Sequence, residues 1–289
     1  MTLPILGAIF RPQFPPESLP AAIAEAESNG LAQLWLWEDC FLHGGLTTAA
    51  VALSGTRSTT VGLGLMPVPL RNVAIAAMEI ATLERLFPGR LRLAVGHGVQ
   101  EWMAQVGARV ESPMTLMREY LGALTSLLAG ARVTCDGRYV SLNDVVLDWP
   151  PLARPLILMG ATGPKSLAMA GELADGVVLA GDANPNHVRH SVDLARESRA
   201  AARITEPFDV VVYLRAYTGP SATEWMTAEE PPYAVGSGVA GGIDDIAERV
   251  LALATAGAGT VCLVPPATET DAARYFHEVV APVQQAIAQ

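Results

Sequence analysis

Three short stretches carry side chains whose types and spacing could do chemistry. The first is Pro88-Gly-Arg-Leu-Arg-Leu-Ala-Val-Gly-His-Gly98, followed by Gln100, Glu101 and Trp102. Pro88-Gly89 punctuates a turn. Leu91, Leu93 and Val95 then alternate with Arg92 and Ala94 as a strand requires, and Gly96 and Gly98 bracket one imidazole, His97, at the strand's end. Histidine changes charge near neutral pH, so it could hold or pass a proton there; the same residues would equally make a plain strand-to-loop turn. The second stretch is Glu38-Asp39, directly after the apolar Leu34-Trp-Leu-Trp37. A carboxylate in that place could act as acid or base, with Asp39 the preferred candidate, or it could only cap the next segment. The third is Gly160-Ala-Thr-Gly-Pro-Lys165. Two glycines let the backbone curl, Pro164 suits a first helical position, and Lys165 adds a positive charge beside the free N–H groups of a helix start, which together suit a phosphate. It lacks the spacing of a Walker loop, and an ordinary strand-to-helix turn is the other reading.

These stretches can meet only if the elements before them run side by side. Apolar or alternating runs predict strands at residues 3–10, 34–37, 59–65, 91–95, 156–159, 176–180, 208–214 and 260–264. Between and after them, helical spacing predicts helices at residues 19–29, 47–54, 73–86, 113–128, 166–173, 188–202, 246–256 and 272–288. Eight strands alternating with helices predict a (β/α)8 barrel, whose loops at the carboxyl ends of the strands form one face. Residues 133–142, with Asp136-Gly137 as a turn, predict a hairpin inserted after the fourth helix. The Gly/Pro-rich residues 219–242 predict a lid between strands seven and eight. Gly62 and Gly64, inside the third strand, signal a bulge or a close approach by another group.

A chain of 289 residues fits a single barrel domain over residues 1–289. With only 17% charged residues and 51% apolar ones, it can bury strands on both faces. No apolar run reaches the roughly 18 residues of a spanning helix, and residues 1–10 lack the basic start of a signal peptide, so a cytoplasmic protein is expected without a membrane partner. A net charge of −10 without clustered Lys or Arg argues against nucleic acid. Cys40, Cys135 and Cys262 are too scattered for a disulfide framework or a zinc cluster. His187 and His190 lack a third ligand, so no metal site is expected.

Taken with Ala174-Asp-Gly-Val177, the first and third stretches resemble the bacterial-luciferase-like flavin-dependent oxidoreductases, and within them the branch similar to methylenetetrahydromethanopterin reductase, which uses the deazaflavin coenzyme F-420. The similarity runs from Leu3 to the last helix. It implies a flavin in the barrel mouth and hydride transfer between coenzyme F-420 and a small organic substrate. An FMN-dependent monooxygenase fed by a separate flavin reductase is the alternative, and a non-catalytic flavin-binding protein is a third reading. By the resemblance, Gly62, Leu63, Gly64 and Leu65 match a bulge behind the ring system, with a non-prolyl cis peptide at Gly64–Leu65. Gly160, Ala161, Thr162, Gly163 and Lys165 match the phosphate loop, and Gly96, His97 and Gly98 would lie beside the ring. Asp39 and His97 are the implied catalytic pair. The branch often has Asp-His after strand two where this chain has Asp39-Cys40, so that Asp39 works without the imidazole, His97 takes over its role, or hydride is donated without a protein acid. The likeness also implies a homodimer through the second and third helices.

Overall fold

The structure is a computed structural model, and it describes residues 3–229 and 236–289. Eight parallel strands close on themselves: β1 (Ile5–Phe10), β2 (Gln33–Leu36), β3 (Thr60–Pro67), β4 (Leu91–Gly96), β7 (Ile157–Gly160), β8 (Gly176–Leu179), β9 (Asp209–Tyr217) and β11 (Thr260–Val264). β9 pairs with both β8 and β11, and β11 pairs with β1, which completes the expected (β/α)8 barrel. The remaining strands lie outside it. β5 (Val133–Asp136) and β6 (Ser141–Val145) form the expected antiparallel hairpin, with a turn longer than Asp136-Gly137 alone. β10 (Val239–Ala240) adds to the edge of β9.

The helices α1 (Leu19–Ser28), α2 (Gly45–Gly55), α3 (Val73–Leu86), α5 (Pro113–Leu128), α6 (Pro164–Leu173), α7 (Pro185–Ala201) and α9 (Ile243–Thr255) wrap the barrel. The chain closes with α10 (Ala272–Tyr275), which continues through a π turn into α11 (Ala281–Ile287). Two short helices lie where the sequence predicts loops: α4 (Gln100–Gln105), directly after the His97 loop, and α8 (Ala222–Glu229). The stretch expected as a lid, residues 219–242, is thus helix α8 and strand β10 in its described parts; residues 230–235 lie outside the described residues.

Alternation along the strands sorts side chains into two layers. In β9, Val210, Val212, Leu214 and Ala216 pack outward under the helices, whereas Val211 and Tyr213 join Ile9, Trp35, Ala94, Leu158, Val178, Cys262 and Val264 inside the barrel. Trp35 is the largest of these and fully buried, its Nε1 donating to Gln33 Oε1 at 2.8 Å. Its indole lies where side chains from β3 would otherwise project. A Cβ on Gly62 would be driven into the Trp35 ring, and one on Gly64 would meet the ring at 2.9 Å and the Tyr213 hydroxyl as well. Gly62 is therefore required by Trp35 and Gly64 by the Tyr213 hydroxyl together with Trp35, so the groups that these glycines signal are aromatic side chains of the barrel itself.

Between Gly64 and Met66 the register against β4 slips by one residue, so that Leu65 is the extra residue of a β-bulge. The Gly64–Leu65 peptide is cis, as expected, and a second non-prolyl cis bond joins Cys40 to Phe41. The steric account of Gly62 has a direct test. Gly62→Ala should destabilise the protein by roughly 1–3 kcal/mol in urea unfolding, as overpacking does. Gly122→Ala, in the interior of α5, whose new methyl would meet nothing within 4 Å, should not destabilise it. Equal stability of the two variants would remove Trp35 as the reason for glycine in β3.

Candidate functional site

The carboxyl ends of six strands surround a cleft of about 600 Å³, within the range of small-molecule and cofactor sites. Trp37, Glu38 and Asp39 follow β2; Gly64, Leu65 and Pro67 come from β3; His97 and Gly98 follow β4; Gly160, Ala161 and Thr162 lie at the end of β7. The three sequence stretches therefore converge, because all leave the same end of neighbouring parallel strands.

The floor is aromatic. Tyr213 packs edge-on to Trp35 and stacks on Trp37, with both ring pairs 5.9 Å apart, and its hydroxyl donates to the Gly64 carbonyl at 3.0 Å. Burial raises the Tyr213 pKa well above that of an ordinary phenol, so the hydroxyl keeps its proton and remains a donor. Leu65 forms the back wall. A Cβ on Gly96 would meet its Cδ1 at 2.7 Å and one on Gly160 its Cγ at 3.0 Å, so these two glycines on β4 and β7 make the slot that seats Leu65. The missing side chain at Gly160, which the sequence suggested would let the loop curl, makes room for this neighbour. Gly98 is the residue here whose backbone requires glycine, with φ at +70° where the chain turns toward α4.

The two carboxylates beside each other differ. Glu38 is fully engaged: one oxygen is ion-paired with Arg71, which also reaches Glu79, and the other accepts from the Gly45 N–H at 2.9 Å, at the start of α2. It holds the loop after β2 in place. Asp39 has no cation partner; burial raises its pKa, with the Gln13 side chain partly opposing the shift. His97 is half-buried. Burial lowers its pKa, opposed by a hydrogen bond with the Pro113 backbone, so at neutral pH it is an uncharged imidazole, and its Nδ1 has no partner. Trp37 Nε1, also in the cleft wall, is likewise unpartnered.

At the β7 end, Ala161, Thr162 and Ser166 line the cleft beside the first turn of α6. The first intrahelical bond is made by the Leu167 N–H to the Gly163 carbonyl, at 2.9 Å. The N–H groups of Lys165 and Ser166 precede it and are available to a ligand. Ser166 Oγ and the Gly163 backbone bond each other and brace the turn. Not every residue singled out in the sequence reaches the cleft. Gly62 is under Trp35, Leu63 packs outward against the helices, Gly96 lies behind Leu65, Gly163 caps α6, and the Lys165 side chain is exposed outside the lining. Tyr213 and Arg215 line the cleft and were missed; their inward parity on β9, every second residue from Val211, was the available signal. Among the described residues no group of three or more His, Cys, Asp or Glu could hold a metal ion.

The sequence model of the luciferase-like monooxygenase family matches residues 6–260. The chain belongs to the bacterial-luciferase-like family. It is 30% identical over 208 residues to 5,10-methylenetetrahydromethanopterin reductase of Methanolobus tindarius, covering 72% of this chain and 63% of that protein. It is 31% identical over 179 residues to the F-420-dependent glucose-6-phosphate dehydrogenase of Beutenbergia cavernae, covering 57% and 53% of the two chains. These matches span less than two thirds of the length of the curated relatives. Of solved structures, the coenzyme F-420-dependent tetrahydromethanopterin reductase from Methanopyrus kandleri shares the fold with a TM-score of 0.82 at 21% identity, over 96% of this chain and 99% of that one. An F-420-dependent secondary alcohol dehydrogenase in complex with an F-420–acetone adduct reaches a TM-score of 0.85 at 18% identity, over 98% and 99% of the chains.

The luciferase-like cleft holds its acid at a cost in stability. A carboxyl whose folded pKa is raised stabilises the folded protein in its protonated form, and that contribution is lost as pH rises from the unfolded value, near 3.9, through the folded one. Asp39→Asn should therefore melt higher than the parent at pH 7, and the difference should shrink as pH approaches about 4. A variant less stable than the parent at pH 7 would contradict the burial account of Asp39.

Proposed function

We propose that this chain is an oxidoreductase that transfers hydride between coenzyme F-420 and a small organic substrate. The observation that carries the reading is the convergence of a braced helix-start loop at Thr162–Ser166, an apolar wall at Leu65, and two unpartnered polar atoms, His97 Nδ1 and Trp37 Nε1, around one cleft. Those residues fit a flavin-like group: an anionic tail at the loop, a flat ring against Leu65, and hydrogen bonds from or to the orphaned atoms. The choice of deazaflavin rests on the likeness to F-420-dependent relatives.

A bound deazaflavin supplies the hydride chemistry; the protein's residues orient, shield and manage protons. The backbone and hydroxyls of residues 160–166 hold the phosphate, and the exposed Lys165 adds only a screened attraction, of the order of 0.2–1 kcal/mol. Leu65 and Trp37 keep water from the ring. Asp39, whose pKa burial raises, takes up a proton more readily than an exposed carboxyl and is placed to pass one at its carboxyl oxygen, and neutral His97 orients the ring or the substrate through Nδ1. Cys40 takes no part in this. Burial, with Glu38 and Asp39 nearby, raises its pKa and keeps it a thiol.

Titrating the pure protein with F-420 and with FMN, followed by fluorescence, should show tighter binding of F-420. Tighter FMN binding would favour the monooxygenase supplied by a flavin reductase, and binding without turnover of any substrate would favour a flavin-binding protein. With F-420 saturating, Asp39→Asn should lower turnover about 10²-fold or more while cofactor affinity stays within a few-fold. Unchanged turnover would remove Asp39 from the chemistry. His97→Gln should instead weaken cofactor or substrate binding.

The reading also takes the chain to act as a cytoplasmic homodimer built on one barrel domain. No helix among the described residues is long and apolar enough to cross a membrane. Helix α3 presents Ile75, Met78 and Leu86 along one exposed side, with Val51 on the neighbouring α2, each 46–65% exposed. Exposed apolar side chains gathered on one side of a helix suit a partner surface. Ile75→Glu should turn a dimer into a monomer in light scattering; a parent protein that is already monomeric would refute the dimer.

A further inference from the structure

The polar part of the cleft wall that the proposed chemistry leaves unused is Arg215. Its position on β9 is fixed by parity: Val211 and Tyr213 point into the barrel, and Arg215 continues that face one step higher, where it lines the cleft above the aromatic floor. The residue is half-buried, yet its guanidinium makes no hydrogen bond and no ion pair among the described residues. Of the two carboxyl groups in the cleft lining, Asp39 makes no ion pair with it and Glu38 is committed elsewhere. Glu38 is held by Arg71 and Gly45, and Glu229 accepts from the Tyr217 hydroxyl at 3.1 Å and from the Ala267 N–H at 2.7 Å.

A second cation stands close by. Arg11, buried in the turn after β1, donates to the carbonyls of Pro265 and Ala267 at 3.2 and 3.4 Å, while its Nε is buried without a partner. Burial lowers the Arg11 pKa, Glu229 and Tyr217 oppose that shift, and the charge of Arg215 adds to it, so the two guanidinium groups feel one another. A charge half withdrawn from water has lost part of its hydration, and a ligand group that pairs with it restores that interaction. Arginine also presents a planar fork of donors that fits a carboxylate or a phosphate. β9 lies two strands from the phosphate loop on β7, with β8 between them, so an anion at Arg215 is separate from one at residues 160–166.

We propose that Arg215 is the seat for an anionic group of the substrate, so that the small organic molecule of this enzyme carries a carboxylate or a phosphate. This rests on the reading of the cleft as an F-420 site only in assigning the anion to substrate; the seat itself follows from the barrel geometry. The substrate then lies with its charged end toward β9 and its reacting end toward Asp39 and His97.

The test uses malonate and inorganic phosphate as probes, with uncharged malonamide as the control, titrated calorimetrically into protein with and without F-420. The parent should bind at least one of the two anions about tenfold or more tightly than malonamide, the scale of one charge-assisted contact. Arg215→Met should lose that preference, Arg215→Lys should regain part of it, and both should keep the parent's F-420 affinity within about threefold. An anion affinity unchanged in Arg215→Met, or no anion preference in the parent, overturns the proposal. Lost F-420 affinity in Arg215→Met with anion binding intact assigns the arginine to the cofactor and also overturns it. A parent that binds no flavin refutes the F-420 reading alone, since the titration without cofactor still decides whether Arg215 seats an anion. Arg215→Lys, with a melting temperature matched to the parent, guards against a misfolded methionine variant.

Discussion

The packing of one indole inside the barrel sets the terms for the rest of the structure. Trp35 fills space that several inward side chains would otherwise share, and β3 accommodates it only by presenting hydrogen atoms at positions 62 and 64. Burying a side chain of that size contributes several kcal/mol at about 25 cal/mol per Å² of apolar surface. It also decides where Tyr213 can stand, and through the Tyr213 hydroxyl it fixes the carbonyl of Gly64 just before the bulge. The cleft floor is thus the top of the core, and its shape is inherited from packing below it.

Charge in the cleft follows a similar economy. Glu38 and Arg71 satisfy each other and tie the loop after β2 to the starts of α2 and α3. That arrangement leaves one carboxyl, one neutral imidazole and one arginine in the wall with capacity to spare. Their separation around the rim, on β2, β4 and β9, suits a bound molecule that presents different chemistry to each.

Much of this was legible in the sequence. Alternation and Gly/Pro punctuation are local properties, and they located all eight barrel strands within a few residues. The loops that carry Asp39, His97 and Thr162 were legible for the same reason, since parallel strands deliver their carboxyl ends to one face. What could not be read was which group fills the space beside a glycine. Gly62 signalled a bulge or an approach by some group and Gly160 a loop free to curl, and they face Trp35 and Leu65. Lys165 looked like a phosphate partner by adjacency, but the second position of α6 turns its side chain to solvent. Tyr213 was hidden inside an apolar strand whose composition reads as core, and Arg215 lay one residue past that strand's expected end; only closure of the barrel shows that the upper inward positions of β9 belong to the cleft. Helix α4 is only six residues long, too short for helical spacing to declare itself.

Leu65 gives the cleft a particular kind of heritability. Its side chain, on a bulge in β3, is seated by the absence of side chains at 96 and 160 on two other strands, so three positions distant in the chain make a single mechanical part. A larger residue at either glycine would leave Leu65 nowhere to go, and a smaller residue at 65 would open a void between two bare backbones. Reshaping the back wall for a different ring would therefore proceed by paired exchanges, one strand giving up volume as its neighbour takes it. Changes at the rim carry no such obligation and can accumulate one at a time.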